Sequence, residues 1–187
     1  MKIFAVYARL NLIKKPEWLD KFREKYDDLY DFHITLKQPC FIDEKQIPEL
    51  KNTVSEFFDN LVLSKHEISV LLNKTVIEEY ADNKGEYIIM ISTNEKSEIY
   101  ELQAKILSAL SDYTNYVKPK YKDYEKSFEP HITIARHLDT EKLAKAKEGV
   151  VGDYTCCALI QEIVLAIVPE DTVEESKNPQ NLTVYKL

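Results

Sequence analysis

The chain has 187 residues, 44% of them hydrophobic and 30% charged, with a formal net charge of −7. That composition supports a sizeable core and excludes an intrinsically disordered chain. The negative sign argues against broad binding to long nucleic acid, but leaves room for a small or terminal phosphate met by a local basic pocket.

Residues 2–10 read as a buried strand, closed by Asn11 and the Lys14-Lys15-Pro16 break. Residues 16–28 read as a helix, with Pro16 in its first turn and Trp18, Leu19, Phe22 and Tyr26 facing the core. A strand over 30–38 comes next, and Pro39 is expected to end it. Asp43 is placed to cap a helix reaching residue 60, with Ile47, Leu50, Val54, Phe57 and Phe58 on one side. Residues 67–79 read as one strand, 82–85 as a turn and 86–93 as the hairpin partner. Asn94 is expected to cap a helix to residue 113, with Ile99, Leu102, Ile106, Leu107 and Leu110 as its stripe. Residues 113–128 read as irregular and rich in Tyr and Lys. Pro130 opens another strand, a tolerated place for proline. Residues 140–148 read as a short helix, 154–168 as containing a strand, 169–179 as an acidic loop and 181–187 as a last strand.

Nothing in this order suggests a linker, so one domain over residues 1–187 is expected, built of two pseudo-symmetric lobes and monomeric. No run of about 18 apolar residues is present, so no membrane span is expected. The strand-like start does not suit a signal peptide. Cys40, Cys156 and Cys157 make an odd count, which fits a reduced, cytoplasmic chain. Cys-x-x-Cys and His-Glu-x-x-His spacings are lacking, so a structural zinc site is not expected; no cofactor is called for.

One pattern stands out. His33-Ile34-Thr35-Leu36 in the first half is matched by His131-Ile132-Thr133-Ile134 in the second. Random placement of four His and ten Thr gives roughly 0.2 His-x-Thr matches, so a pair of copies sharing Ile and a following aliphatic is a strong signal. In a strand, residues i and i+2 share a face. His33 therefore shares a face with Thr35, and His131 with Thr133, while the aliphatic residues anchor the opposite face. The two copies occupy comparable places in a degenerate internal repeat, and a pseudo-twofold fold would bring them together across one cleft.

At His33-Ile34-Thr35-Leu36-Lys37 and at Phe128-Glu129-Pro130-His131-Ile132-Thr133-Ile134-Ala135-Arg136 the chain resembles the two-histidine (2H) phosphoesterase superfamily, most closely its LigT-like RNA 2′,3′-cyclic phosphodiesterase branch. In that branch the first motif commonly continues with an arginine and apolar residues, where this chain has Lys37-Gln38. The resemblance implies an α+β fold of two lobes, with two antiparallel sheets flanked by helices around a central cleft. It also implies hydrolysis of a phosphodiester without metal, with His33 and His131 catalytic and Thr35 and Thr133 holding phosphate.

The chemistry fits those residue types. Opening a cyclic phosphate needs a base for water and an acid for the leaving ribose oxygen, and imidazole serves as either near neutral pH. Such a pair predicts a bell-shaped pH profile with limbs in the imidazole range. Hydroxyls donate to the non-bridging oxygens, and a cation offsets developing charge. Lys37 and Arg136 are the nearest phosphate-binding cations, each expected on the same face as its threonine only if its strand stays regular. Within 113–128, Tyr121 and Tyr124 are candidates to stack a base among lysines, with a plain solvated loop as the alternative. The expected substrate is a small nucleotide or RNA terminus ending in a 2′,3′-cyclic phosphate. Two alternatives stay open: cleavage of 2′,5′-linked or cyclic oligonucleotides, and a non-catalytic nucleotide-binding module. His66 and His137 read as surface or strand-end residues, Cys40 as a buried thiol, and the Asp31 and Glu129 carboxylates as solvated strand-end groups.

Overall fold

A computed structural model of the chain describes residues 1–27, 29–62, 67–80, 83–93, 95–150 and 152–187. Two antiparallel sheets form it. The larger has the strand order β2-β1-β7-β3, with β8 also pairing β7. Its strands are β1 (Lys2–Lys14), β2 (His33–Ile42), β3 (Ile68–Leu72), β7 (Cys156–Val168) and β8 (Leu182–Lys186). The smaller has the order β4-β5-β6, from β4 (Lys74–Glu79), β5 (Tyr87–Ser92) and β6 (His131–Leu138). The helices are α1 (Leu19–Tyr26), α2 (Ile47–Val62), α3 (Glu98–Ala109), α4 (Tyr121–Lys126), α5 (Thr140–Gly149) and α6 (Val173–Lys177).

The α+β architecture matches the expectation, and several element bounds shift for readable reasons. β1 runs on to Lys14 because Asn11, Leu12 and Lys14 still pair with β7. The strand expected over 67–79 is two strands in different sheets, divided at Asn73. Pro39 does not end β2. It lies on an edge strand, where no inner ladder needs its missing N–H, and its carbonyl accepts from Val117 N. The stretch expected to be irregular holds α4, and the acidic loop holds α6. Asp43 caps the turn before α2, its carboxylate accepting from Lys45 N at 3.1 Å. Asn94, Asp82 and Asp28, expected at helix and turn ends, lie outside the described residues.

Alternation decides which side of each strand is core. Phe4, Val6 and Ala8 of β1 are fully buried, while Tyr7 and Arg9 keep part of their surface. α3 packs on β2 and β3, and α2 on α3 and β8, bringing Leu50, Val54, Phe58, Ile99, Leu102 and Ile106 into the same core. Each such side chain contributes on the order of 1.5–3 kcal/mol when fully buried. The helices cover that face of the large sheet and leave the other for a cleft. Helix placement also crosses between the sheets. α1 joins β1 to β2 of the large sheet yet packs on β6, and α4 precedes β6 of the small sheet yet packs on β2.

Candidate active site

The two motif strands are edge strands of different sheets, and they pack against each other. On the large sheet His33 pairs with Arg9 and Thr35 with Tyr7. On the small sheet His131 pairs with Ser92 and Thr133 with Met90. Ile34, Leu36, Ile132 and Ile134 are buried at 1% exposure or less, which anchors both strands and turns both His-x-Thr pairs outward. All four residues of those pairs line one cleft of about 500 Å³, together with Gln38, Arg136, Tyr121 and Tyr124.

Each histidine is held the same way. His33 Nδ1 lies 2.8 Å from the Asp31 carbonyl, and His131 Nδ1 lies 2.8 Å from the Glu129 carbonyl. A carbonyl oxygen only accepts, so Nδ1 carries the proton and donates in both rings. Nε2 is then left as the atom with base or acid capacity. The backbone of the residue two before each histidine makes this contact, not its carboxylate. The Glu129 carboxylate instead accepts from Lys74 Nζ at 2.9 Å and Ser92 Oγ at 3.1 Å. The ring of His33 meets Tyr7 and Tyr30 edge-on, at centroid distances of 5.4 and 5.9 Å. Burial pushes its pKa down to about 4; the Asp31 carbonyl opposes this, and the charges of Arg136 and His131 add to it.

The two candidate cations part company. Beyond each threonine both strands carry the same pair of bulges: β2 pairs Thr35, Lys37 and Cys40 with Tyr7, Val6 and Phe4, and β6 pairs Thr133, Ala135 and Leu138 with Met90, Ile89 and Tyr87. Each bulge inserts one residue and reverses the facing of the residues beyond it. Lys37 therefore turns away from the Thr35 face and is 2% exposed, with its Nζ 3.0 Å from Glu125 Oε2 and 4.5 Å from the Tyr116 ring centroid. It does not line the cleft, which corrects the expectation of a phosphate-binding role. Arg136, expected to share its threonine's face only in a regular strand, enters the cleft because the strand is bulged, and Gln38 does so in the matching place of β2. Arg136 Nε donates to Asp27 Oδ2 at 2.9 Å, and its guanidinium lies 5.0 Å from the Tyr30 ring centroid.

Tyr121 and Tyr124 line the cleft from α4, and Lys118 and Lys120 line it as well. What the sequence did not reveal is the anchor of that helix. Glu125, buried, accepts from Lys37 Nζ, from Tyr116 Oη at 2.6 Å and from Gln38 N at 2.7 Å. A second chamber of about 450 Å³ continues past His33 and Thr35 over the open face of the large sheet, where Tyr7, Arg9 and Tyr30 line it. Tyr7, Tyr30, Asp27 and Glu125 had no motif to mark them. Only the helical spacing of the apolar residues on α1 hinted at where Asp27 would fall.

His137 and Cys40 do not line the cleft. His137 is exposed, its Nδ1 3.1 Å from Glu86 Oε2 and its ring stacked on Tyr80. Cys40 is buried, and that burial pushes its thiol up to about 11. His66 lies outside the described residues. Among the described residues no three His, Cys, Asp or Glu side chains group as metal ligands, and no helix is long and apolar enough to cross a membrane.

A comparison with curated proteins finds no match. Among solved structures the chain is similar to that of Kluyveromyces marxianus Usb1 with uridine monophosphate, at 10% identity and a TM-score of 0.53, covering 99% of this chain and 98% of that one. At that identity the likeness speaks for the fold, two antiparallel sheets flanked by helices. The family model for the 2′-5′ RNA ligase superfamily matches residues 13–172, a span that contains both His-x-Thr strands, and the chain belongs to that superfamily.

Proposed function

We propose that this protein is a metal-independent phosphodiesterase that opens 2′,3′-cyclic phosphate ends of RNA or of related nucleotides. The observation that carries the reading is the pair of matched His-x-Thr strands facing one cleft, each histidine held at Nδ1 by a carbonyl with Nε2 left for proton transfer. With its pKa held low, His33 is neutral at physiological pH and serves as the base. Its Nε2 takes a proton from water as the water oxygen bonds to phosphorus. His131, as the acid, gives an Nε2 proton to the ribose oxygen whose bond to phosphorus breaks. Thr35 and Thr133 hydroxyls donate to the non-bridging oxygens, and Arg136 offsets the charge that builds on them. Tyr121 and Tyr124 stack the base. The nucleotide in the Usb1 structure is in keeping with such a substrate.

A second reading, cleavage of a 2′,5′-linked oligonucleotide by the same residues, is favoured by the second chamber beyond His33, which offers space on the other side of the phosphate. Product analysis with nucleoside 2′,3′-cyclic phosphates and 2′,5′-linked dinucleotides, in excess chelator, tests both readings. Turnover should persist in chelator, and His33→Ala or His131→Ala should each lower it by at least about 10²-fold. Loss in chelator with rescue by a divalent ion, or a histidine variant near wild-type turnover, refutes the mechanism.

A further inference from the structure

The two histidines belong to different sheets, and in-line displacement needs them fixed on opposite sides of one phosphorus. No ladder among those of the two sheets joins β2 to β6. Their spacing therefore depends on side chains that cross between the lobes. Two buried carboxylates make such crossings, and they do so reciprocally. Asp27 comes just after α1, the helix between β1 and β2, and binds Arg136 on β6. Glu125 lies on α4, which precedes β6, and binds Lys37 and the amide of Gln38 on β2. Gln38 and Arg136 are the matching residues of the two strands, each three past its threonine and each lining the cleft.

We infer that Asp27 and Glu125 are reciprocal positioning residues, each bracing the motif strand of the opposite lobe, and that Asp27 in particular aims the Arg136 guanidinium at the phosphate. The inference rests on the phosphodiesterase reading above. Asp27 is 4% exposed, and the carboxylate holds the Nε edge of Arg136. With Nε engaged and the guanidinium plane set over Tyr30, four N–H donors on Nη1 and Nη2 remain on a group that lines the cleft. An arginine tied at one edge loses little freedom when it meets an anion, which is the advantage of a preorganised donor. Arg23 stands near both groups, over the Phe32 ring and donating to the Tyr30 carbonyl. Without the Asp27 charge, Arg136 would face this second guanidinium and keep the Tyr30 ring, but lose the anion that fixes its Nε edge.

The test is a double-mutant cycle on kcat/KM with a nucleoside 2′,3′-cyclic phosphate, comparing wild type, Asp27→Asn, Arg136→Gln and the double variant below their melting temperatures. Arg136→Gln should lower kcat/KM by roughly 10²-fold and Asp27→Asn by about 10-fold. The double variant should fall no more than about 2-fold below Arg136→Gln, because Asp27 acts through Arg136. A purely structural Asp27 would lower melting temperature and leave kcat/KM of the folded protein intact. Wild-type kcat/KM in Asp27→Asn, or a double variant at the product of the two losses, overturns the inference. Should Asp27→Asn fail to fold, Arg136→Lys replaces it. That variant keeps a cation beside Asp27 but lacks the fork, so full activity in it overturns the inference and a loss of 10-fold or more supports it. If wild type turns over neither cyclic nor 2′,5′-linked substrates, the proposed reaction fails, and uridine monophosphate binding by calorimetry decides the brace on the same four proteins. Non-additive Kd changes support it; additive changes, no change or no binding overturn it.

Discussion

Lys37 offers the sharpest contrast between what the sequence suggests and what the fold makes of it. Its Nζ is 3.0 Å from Glu125 Oε2, and the side chains are only 2% and 6% exposed. Removing one member of such a pair leaves a buried, uncompensated charge, at a cost of about 3–5 kcal/mol. Lys37→Met fills the space without the cation, and Glu125 keeps two donors, Tyr116 Oη and Gln38 N. The low end, about 3 kcal/mol, is therefore expected. Glu125→Gln should cost more, because it strands the Lys37 ammonium and leaves Gln38 N and Tyr116 Oη competing for one carbonyl oxygen. For a chain of this length each kcal/mol moves the melting temperature by about 2–4 °C, so Lys37→Met should melt roughly 6–12 °C early. Urea denaturation followed by tryptophan fluorescence gives the free energy, and turnover at a temperature where both proteins are folded gives the chemistry. A phosphate-binding Lys37 makes the opposite forecast: unchanged melting and kcat/KM down by roughly 10²-fold. Wild-type stability in Lys37→Met would refute the buried-pair account.

Three further outcomes are expected. With the His33 pKa near 4, the acidic limb of kcat/KM against pH should lie near 4 and not in the ordinary imidazole range: activity is kept as pH falls to about 5 and is lost as His33 protonates below that. A limb near 6.5 with chemistry rate-limiting would show that the ring is solvated or is not the base. Thr35→Val or Thr133→Val should each lower kcat/KM by an equivalent of roughly 1–3 kcal/mol without moving that limb, because a hydroxyl donor is lost and nothing titrates. Tyr121→Ala and Tyr124→Ala should mainly raise KM in steady-state assays, as loss of base stacking does, and unchanged KM in both would return α4 to a merely structural part.

Most of the fold was legible because it rests on local pattern. The aliphatic alternation of Ile34, Leu36, Ile132 and Ile134 marks both motif strands, and all four are buried. Leu50, Val54 and Phe58 mark α2 by helical spacing, and all three reach the core. Readings failed where a neighbour overrode local preference. Pro39 stops an inner strand, but β2 is an edge, and the 115–117 segment supplies the outer hydrogen bonds there. Asn73 is a lone, weak breaker inside an aliphatic run, yet its N–H is drawn to the Ser92 carbonyl, and the chain changes sheets at that point.

The site divides along the same line. His33, Thr35, His131 and Thr133 could be read because a two-residue period fixes their facing, whatever the rest of the chain does. One step further the period breaks. The first of the two inserted residues on β2, and its counterpart on β6, reverses the facing of the short stretch up to the second, so Lys37 turns inward and Arg136 turns to the cleft. No local pattern announces such a bulge, which shows only in the register against the opposing strand. The matched pairs of bulges nonetheless say that the internal repeat is deeper than the tetrapeptides. Lys37 stands where β6 has Ala135, and Gln38 where it has Arg136. The inward place takes either a small apolar side chain or a cation with its own buried partner, here Glu125. The two halves thus differ: one strand carries a cleft-facing cation and the other an anchored helix. On the proposed reading the cleft would meet the phosphate mainly from the β6 side and the base from α4, an asymmetry that two identical His-x-Thr motifs do not by themselves disclose.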